Sequence, residues 1–294
     1  MLKRLICLFL LLAVLLTGCA KTESDNEALT IAATTYPVYC LTLAVCQGVD
    51  EVDVCAVINQ EISCLHDYTL SVNDMKAIEG ADLIVMNGLG LEEFMTDALQ
   101  SAAGETYACS DGIELIYTQE GEADPHIWLD PERAALMVEN IGEKMAQFNE
   151  ENAEVYKNNA QTAAKELRNK AAQWRDELSV MEHREIVSFH DGFEYFADAF
   201  DLTVLRSIEE EAGSEASAKE IAEIVQMIKD YDIKTIFTEK NGSTSTADAI
   251  ARELDDSVEV AALTMIMSGE IGGIDSFLEE MEYNVGTIKK LDRT

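Results

Sequence analysis

Residues 152–181, NAEVYKNNAQTAAKELRNKAAQWRDELSVM, decide the fold that this sequence predicts. The stretch is rich in Ala, Glu and Lys and carries no strand signal, so it predicts one helix of about 45 Å at 1.5 Å per residue. A helix that long exceeds what a crossover inside one small parallel sheet requires. We therefore expect it to connect two domains and to resist wide hinge movement, with a helix over residues 132–148, starting at Pro131, before it.

Strand signals lie on both sides of this helical region. Short apolar runs alternate there with helical patterns, which predicts parallel sheets with crossover helices. The predicted strands are residues 29–35, 52–58, 81–88 and 105–110 on the N-terminal side and 185–190, 202–208, 233–239 and 258–263 on the C-terminal side. The predicted fold class is α/β, with two small parallel-sheet lobes joined by a single long backbone helix.

The domain boundaries follow from these patterns. We expect an N-terminal α/β lobe over residues 29–131, a helical region including the connector over residues 132–184, and a C-terminal α/β lobe over residues 185–294. The length of 294 residues and the 48% of hydrophobic residues are sufficient for two cores. No sequence repeat relates the two lobes.

A processing segment and a tether are predicted ahead of the first lobe. Residues 1–18 combine a basic start with an apolar run, residues 5–16, that is too short for a transmembrane helix. The run ends in Leu-Thr-Gly-Cys, which resembles the bacterial lipobox. Cys19 is therefore expected to carry lipid and residues 19–28 to form a polar tether. The alternative is an ordinary signal peptide in which Cys19 is incidental.

The charge of the chain excludes one class of function. The sequence has 56 acidic against 21 basic residues and a formal net charge of −35. A protein that binds nucleic acid presents positive charge to the phosphates, so this class is excluded. An acidic surface favours solubility and a mild attraction for cations.

The cysteines leave their pairing open. Of the 7 in the chain, Cys7 leaves with the signal and Cys19 would carry lipid. An odd number remains, which cannot pair completely within one chain, and free Cys is also a common buried apolar residue. The remaining cysteines are Cys40, Cys46, Cys55, Cys64 and Cys109.

Three of the four histidines lie where open parallel sheets bind ligands, beyond the carboxyl ends of strands. His66 follows the second predicted strand, His126 lies in the loop before the helical region, and His190 ends the strand over residues 185–190. Both lobes thus contribute. Neutral imidazole is the commonest protein ligand for zinc and related metals, so we expect a metal site in the interlobe cleft. His183 is expected on the solvated surface.

The stretch ADPHIWLDP, residues 123–131, surrounds one histidine with carboxylates and prolines. The prolines restrict the backbone, Asp124 or Asp130 is suited to orient the ring of His126, and Trp128 to shield it from water. The alternative interpretation is a plain β-turn with a buried Trp. Carboxylates that also follow predicted strands are Glu209, Glu210, Glu211 and Glu239.

Several segments resemble one protein family over nearly all of the chain after the signal. The most specific is DPHIWLDP at residues 124–131, and FHDGFEYFADAF at residues 189–200 resembles the family's third-ligand region. TTYPVYCLTLAV, HDYTLSVNDMKAIEGADLIVMNGLGLEEF and EASAKEIAEIVQMIKDYDIKTIFTE are similar to its opening strand and helix, first-ligand region and C-terminal helix and strand. The family is that of the bacterial solute-binding lipoproteins of zinc and manganese ABC transporters, of the ZnuA/TroA type.

The resemblance implies a ligand set. It carries the first three metal ligands of the family onto His66, His126 and His190, and a His at the third position goes with zinc. Many members have an Asp just after the last C-terminal strand, whereas this chain has Thr264 there. Either water or a carboxylate would then complete the site, the candidates being Glu239 and one of Glu209, Glu210 and Glu211. The expected ion is Zn²⁺, with Mn²⁺ as the alternative.

The function that the resemblance implies is transport. We expect a monomer, lipid-anchored on the extracytoplasmic face of the membrane, that captures the ion and delivers it to an ABC permease and its ATPase without catalysis. Binding should weaken as pH falls through about 6–6.5, because imidazoles must be neutral to coordinate. The alternatives are a zinc-dependent hydrolase with an open fourth coordination position and Glu239 as general base, and a surface adhesin with a structural metal.

Overall fold

A computed structural model describes the protein over residues 28–58, 65, 68–118, 121–207, 217–240, 242–255, 257–269 and 272–291. The predicted signal segment, nearly all of the predicted tether, Cys64, His66 and the predicted carboxylates at residues 209–211 lie outside these ranges. No helix within the described ranges has the length and apolar character needed to cross a membrane.

The N-terminal lobe is built on a four-stranded parallel sheet in the order β2-β1-β3-β4. Its strands are β1 (Leu29–Ala33), β2 (Val52–Ala56), β3 (Leu83–Met86) and β4 (Glu105–Ala108), and its helices are α1 (Tyr36–Cys46), α2 (Val72–Glu79) and α3 (Thr96–Ser101). All four predicted strands of this lobe are confirmed, with earlier ends. The short helix α3 was not predicted.

A helical region follows the first sheet. Helix α4 (Pro131–Phe148) has Pro in its first turn, as predicted, and a 3-10 turn leads into α5 (Ala153–Leu178). Helix α5 has 26 residues and therefore spans about 39 Å. The long helix predicted over residues 152–181 is thus confirmed in a slightly shorter form.

The C-terminal lobe contains the second four-stranded parallel sheet, in the order β6-β5-β7-β8. Its strands are β5 (Glu185–Ser188), β6 (Thr203–Ser207), β7 (Thr235–Glu239) and β8 (Glu259–Leu263), and its helices are α6 (Glu194–Phe200), α7 (Ala218–Asp230), α8 (Ser245–Glu253) and α9 (Ile274–Leu291). The fold is therefore two parallel-sheet α/β lobes with a long helix between them, as the sequence predicts.

The two sheets have the same strand order, although no sequence repeat relates them. In each sheet the first and third strands are neighbours, and the connections that leave them run to opposite sides. A crevice opens at the carboxyl ends of such a pair, and α/β proteins bind ligands there. The crevices lie beyond β1 and β3 in one lobe and beyond β5 and β7 in the other.

Helix α5 is bonded to both lobes. Near its start, Asn159 Nδ2 donates to the carbonyls of Val45 and Gln47 at the end of α1, at 2.9 and 2.8 Å. Near its end, Trp174 Nε1 donates to Glu282 Oε2 on α9 at 2.8 Å. The long helix therefore fixes the spacing of the two lobes.

One apolar core also continues through both lobes. Its buried side chains include Ile31 and Val85 of the first sheet, Leu167 of α5, and Phe196 and Phe237 of the C-terminal lobe. A second, smaller cluster packs α7 and α8 against the other sheet, and it includes Val187, Ile224, Ile236 and Ile250. Shared packing of this kind opposes wide separation of the lobes.

A capping box closes the start of α2. The cap is Ser71, whose hydroxyl accepts from Asp74 N at 3.3 Å while the Asp74 carboxylate accepts from Ser71 N at 2.6 Å. This reciprocal arrangement satisfies two terminal N–H groups.

Four of the cysteines are free thiols. These are Cys40, Cys46, Cys55 and Cys109, and three of them are buried. Burial raises the pKa of the Cys46 thiol to about 12, so it remains protonated at neutral pH. The described cysteines therefore act as small apolar residues of the first lobe.

Candidate metal centre

His126 lies in the loop between β4 and α4, and the residues after it anchor that loop. Ile127–Leu129 form a 3-10 turn whose side chains are all buried, including the indole of Trp128. His126 itself is only 8% exposed. The turn therefore presents the histidine from a rigid base.

Asp124 orients the ring of His126. Its Oδ1 lies 2.9 Å from His126 N and 2.8 Å from Nδ1. A carboxylate only accepts, so Nδ1 carries the proton and Nε2 presents its lone pair. Asp130, the other candidate for this role, caps α4 instead: its Oδ1 accepts from Glu132 N at 2.7 Å and its Oδ2 from Arg133 Nη1 at 2.5 Å.

His190 follows β5, and Glu239 ends β7, the neighbouring strand at the crevice of the C-terminal lobe. Ser188 Oγ donates to the His190 carbonyl at 2.9 Å and accepts from His190 N at 3.2 Å, which turns the chain out of the strand. Nδ1 of His190 lies 3.4 Å from Glu239 Oε2. A carboxylate thus faces Nδ1 of this ring as well, which leaves Nε2 for another partner.

The rings of His126 and His190 meet across the two lobes. Their centroids are 5.5 Å apart and their planes cross at 83°. An ion bound by both Nε2 atoms at zinc distances, with a tetrahedral angle between them, would put the ring centroids roughly 5 Å apart. The observed centroid separation of 5.5 Å is close to that value.

The C-terminal lobe also covers His126. Trp128 Nε1 donates to the carbonyl of Met265 at 2.8 Å, and the Trp128 ring lies 5.4 Å from the His126 ring. A Cβ placed on Gly192 would fall 2.7 Å from His126 Nδ1 and 2.7 Å from Met265 Cε. The ring is therefore enclosed on its protonated side, and Trp128 shields it from one direction.

Thr264 follows β8, and its polar groups are already engaged. Its Oγ1 accepts from Ile266 N at 3.0 Å. Asn284 Oδ1 accepts from Thr264 N, and Asn284 Nδ2 donates to the Thr264 carbonyl, both at 2.8 Å. These bonds satisfy the polar groups of the buried Thr264. They also give this residue a role in the backbone turn that follows β8.

A partly buried carboxylate lies four residues beyond His190. Glu194 begins α6, and its Oε1 accepts from Ser207 Oγ at 3.3 Å. Burial, and then the charges of Asp191 and Asp124, raise the pKa of this carboxyl. Several carboxylates near the rings make the cleft favourable for a cation.

The structure brings together three of the predicted site residues. His126, His190 and Glu239 lie in the cleft, whereas His66 lies outside the described residues. Over the described ranges, no group of three or more His, Cys, Asp or Glu side chains is arranged to hold a metal ion. His183 is exposed between α5 and β5, as predicted.

Sequence reasoning missed two residues behind the His126 loop. Asn87 Nδ2 donates to the carbonyl of Pro125 at 2.9 Å, and Glu92 accepts from the backbone of Asn87 at 2.7 Å. The available signal is the Asn-Gly pair at residues 87–88, which in the sequence indicates only the end of a strand. Nothing in the sequence distinguishes a buried Glu from the many exposed ones.

Known proteins resemble the chain over most of its length. Residues 31–291 match the family described as "ZnuA: Zinc-uptake complex component A periplasmic". The chain is 26% identical over 272 residues to the high-affinity zinc uptake system protein ZnuA of Bacillus subtilis, covering 86% of this chain and 84% of that protein. It is 24% identical over 226 residues to the manganese-binding lipoprotein MntA of Halalkalibacterium halodurans, covering 76% and 75%.

A solved structure is similar over nearly the whole chain. It is the laminin-binding protein Lmb of Streptococcus agalactiae, described as a bifunctional protein with adhesin and metal transporting activity. The TM-score is 0.79 at 25% identity, over 90% of this chain and 100% of that one. The arrangement of two lobes and a long helix is thus common to both.

Proposed function

The chain belongs to the ZnuA family of periplasmic zinc-uptake components, and we propose that it is the extracytoplasmic metal-binding subunit of an ABC importer. In this role it captures a divalent ion in the cleft and delivers it to the permease, whose ATPase drives uptake. Family membership favours this transport role over that of a zinc-dependent hydrolase. The protein acts as a monomer, since one chain contributes to the cleft from both lobes.

The observation that carries this proposal is the pair of rings, one from each lobe, at 5.5 Å. Each ring has a carboxylate at Nδ1, so both Nε2 atoms are available to one ion. We propose His126 and His190 as two ligands and His66, by the family resemblance, as the third. Glu239 is retained as a candidate fourth ligand, although its position at Nδ1 of His190 favours an orienting role, with water completing the site.

The proposed ion is Zn²⁺, with Mn²⁺ as the alternative. Imidazole nitrogen suits zinc better than it suits the harder manganese ion, and three imidazoles with water form a familiar tetrahedral zinc site. The relatives include proteins named for zinc and for manganese, so the ion is decided by the ligand set of this chain.

A competitive titration of metal-stripped protein with Zn²⁺ and Mn²⁺ tests the site. The chain has 2 tryptophans, and Trp174→Phe leaves Trp128, 5.4 Å from the His126 ring, as the only tryptophan to be excited selectively. We expect zinc to change this fluorescence and to bind more tightly than manganese. In the same background, His126→Ala should lower zinc affinity by more than about 100-fold. Loss of a group that only orients a metal ligand lowers affinity by about 10- to 100-fold, so the larger loss distinguishes a ligand.

His183→Ala is the matched control, because this histidine is exposed and precedes β5, at the opposite end of the strand from His190. It should bind zinc as the parent does. Normal zinc binding by His126→Ala would contradict the ligand assignment, and tighter manganese than zinc binding by the parent would contradict the choice of ion.

The proposed location is the outer face of the cytoplasmic membrane, with a lipid on Cys19. The support is the lipobox-like sequence that ends in this residue. A labelled fatty acid fed to the expressing bacterium should be incorporated into the protein, and Cys19→Ala should abolish the label and release the protein from membranes. Equal labelling of the variant would contradict the anchor but leave the metal site untouched.

A further inference from the structure

Glu92 is a buried carboxylate in the N-terminal lobe, only 4% exposed. Its Oε1 accepts from Thr34 Oγ1 at 2.8 Å and from Asn87 N at 2.7 Å, and its Oε2 accepts from Gly88 N at 3.0 Å. Burial raises the pKa of this carboxyl, and these hydrogen bonds partly oppose the shift. Placing a carboxylate in such a position costs several kcal/mol unless donors surround it, so its presence calls for an explanation.

The bonds of Glu92 join the two central strands of the first sheet. Thr34 is the first residue after β1, and Asn87 and Gly88 are the first residues after β3. These strands are the neighbours that flank the crevice of this lobe. Glu92 therefore fixes the backbone where β3 ends, and with it the position of Asn87.

Asn87 in turn holds the loop that carries His126. Its side chain is 0% exposed, and its Nδ2 donates to the Pro125 carbonyl at 2.9 Å and to the Gly88 carbonyl at 3.1 Å. Pro125 immediately precedes His126, and its ring restricts φ. Holding the Pro125 carbonyl therefore sets the peptide plane from which His126 extends.

We propose that Asn87 is a positioning residue for His126, and that Glu92 holds Asn87 in place. The chain of contacts runs from Glu92 to Asn87, from Asn87 to the Pro125 carbonyl, and from there to His126. Asp124 fixes the orientation of the imidazole ring, and Asn87 fixes the position of the backbone from which the His126 side chain extends. The inference rests on the proposed function, because it requires His126 to bind the ion.

Asn87→Leu removes both side-chain donors at nearly constant volume. We expect zinc affinity to fall by about 10- to 100-fold, the range for loss of a group that orients a ligand. The visible spectrum of the Co²⁺-loaded variant should also change, because a displaced His126 alters the coordination geometry. A residue that only supports the fold would lower the unfolding temperature without changing this spectrum.

Asn140→Leu is the matched control. Asn140 Nδ2 also donates to two backbone carbonyls, those of Cys109 at 2.9 Å and Asp111 at 3.0 Å, but both lie at the start of the loop after β4 and neither adjoins His126. This variant should lose comparable stability and keep the zinc affinity and the Co²⁺ spectrum of the parent. An equal loss of affinity in both variants would overturn the proposal, as would an unchanged affinity in Asn87→Leu.

Glu92→Gln is the second variant, for use if Asn87→Leu does not fold. Gln has a single acceptor oxygen, which can serve either Gly88 N or the Thr34 and Asn87 donors but not both, so the clamp on Asn87 loosens while the Asn87 side chain remains. We expect a zinc affinity several-fold below that of the parent, with a Co²⁺ spectrum changed in the same direction; parent-like values would overturn the proposal. Failure of the unsubstituted protein to bind zinc would instead contradict the proposed function.

Discussion

At the scale of single residues, the cleft is organised by carboxylates placed behind imidazoles. Asp124 faces Nδ1 of His126 at 2.8 Å, and Glu239 faces Nδ1 of His190 at 3.4 Å. Each carboxylate sets the tautomer of its ring and makes Nε2 a better donor to a cation. The sequence shows these acids as neighbours of histidines or of strand ends, and only the folded chain shows which nitrogen each one faces.

The Asp124→Asn variant tests this arrangement. The amide oxygen of Asn can accept the same hydrogen bonds from His126 but carries no negative charge, so it polarises the ring less. We expect zinc affinity to fall by about 10-fold, measured by competition with a chelator. Asp198→Asn is the control, because Asp198 pairs with Arg133 on the surface at 2.8 Å. Equal affinity of Asp124→Asn and the parent would contradict a role of this charge.

A second prediction at this scale concerns the raised pKa of Glu92. The folded state binds the proton more tightly than the unfolded chain, whose carboxyl titrates near 4.5. The stabilising contribution of this group is therefore fully present below about pH 4.5 and is lost as pH rises through the folded-state pKa. Relative to Glu92→Gln, the free energy of unfolding of the parent should decrease between pH 4.5 and 7.5.

Urea denaturation of metal-free protein at several pH values in this range measures that difference. Other buried carboxylates contribute equally to both proteins and cancel. A difference that grows with pH would have the opposite sign. It would mean that the three hydrogen bonds lower the pKa of Glu92 more than its burial raises it.

At the scale of elements, close helix packing depends on one glycine. Gly142 of α4 faces α5, and a Cβ placed there would overlap the Cβ of Ala160 and lie 3.4 Å from the Tyr156 carbonyl. Gly is ordinarily unfavourable inside a helix by about 1 kcal/mol. It is retained at this position because two helix backbones approach each other there.

Gly142→Ala should therefore destabilise the protein, by about 1–3 kcal/mol, because the helices must separate. Gly286→Ala in α9 is the matched control: a Cβ there meets nothing within 4 Å, so the gain in helix propensity should raise stability by up to about 1 kcal/mol. Chemical denaturation measures both. A stabilising effect of Gly142→Ala would contradict the contact between α4 and α5.

Element boundaries were predicted less well than the elements themselves. The strand predicted over residues 185–190 ends at Ser188, because the hydroxyl of Ser188 bonds the backbone of His190 and turns the chain. The strand predicted over residues 29–35 ends at Ala33, and α1 follows almost at once. An apolar run continues past the end of a strand because the next turn is buried too, so composition does not mark the boundary.

At the scale of the whole molecule, the lobes are held as one unit. They share an apolar core, α5 bonds to both, and Trp128 links them through the Met265 carbonyl beside the cleft. The ion is therefore expected to bind a protein that is already folded, with modest lobe movement.

Removal of metal tests this expectation. Protein treated with a chelator should keep its far-ultraviolet circular dichroism spectrum and unfold in a cooperative transition. Zinc at 1,000 times its dissociation constant should then raise the free energy of unfolding by about 4 kcal/mol through mass action. Loss of the spectrum on chelation would indicate a structural metal, as the adhesin interpretation supposes.

The sequence by itself determined the two-lobe α/β class, the long connecting helix and the histidines that follow strands. These features depend on local periodicity and on the rule that strand ends share one edge of a sheet, and both can be read along the chain. The tertiary structure alone decided that Asp124, and not Asp130, orients His126, that Asn87 and Glu92 support its loop, and that Thr264 serves a backbone turn. Those roles depend on which groups become neighbours when the chain folds and excludes water. Asn87 and Pro125, for example, are 38 residues apart in the sequence, and no local pattern indicates that they are in contact.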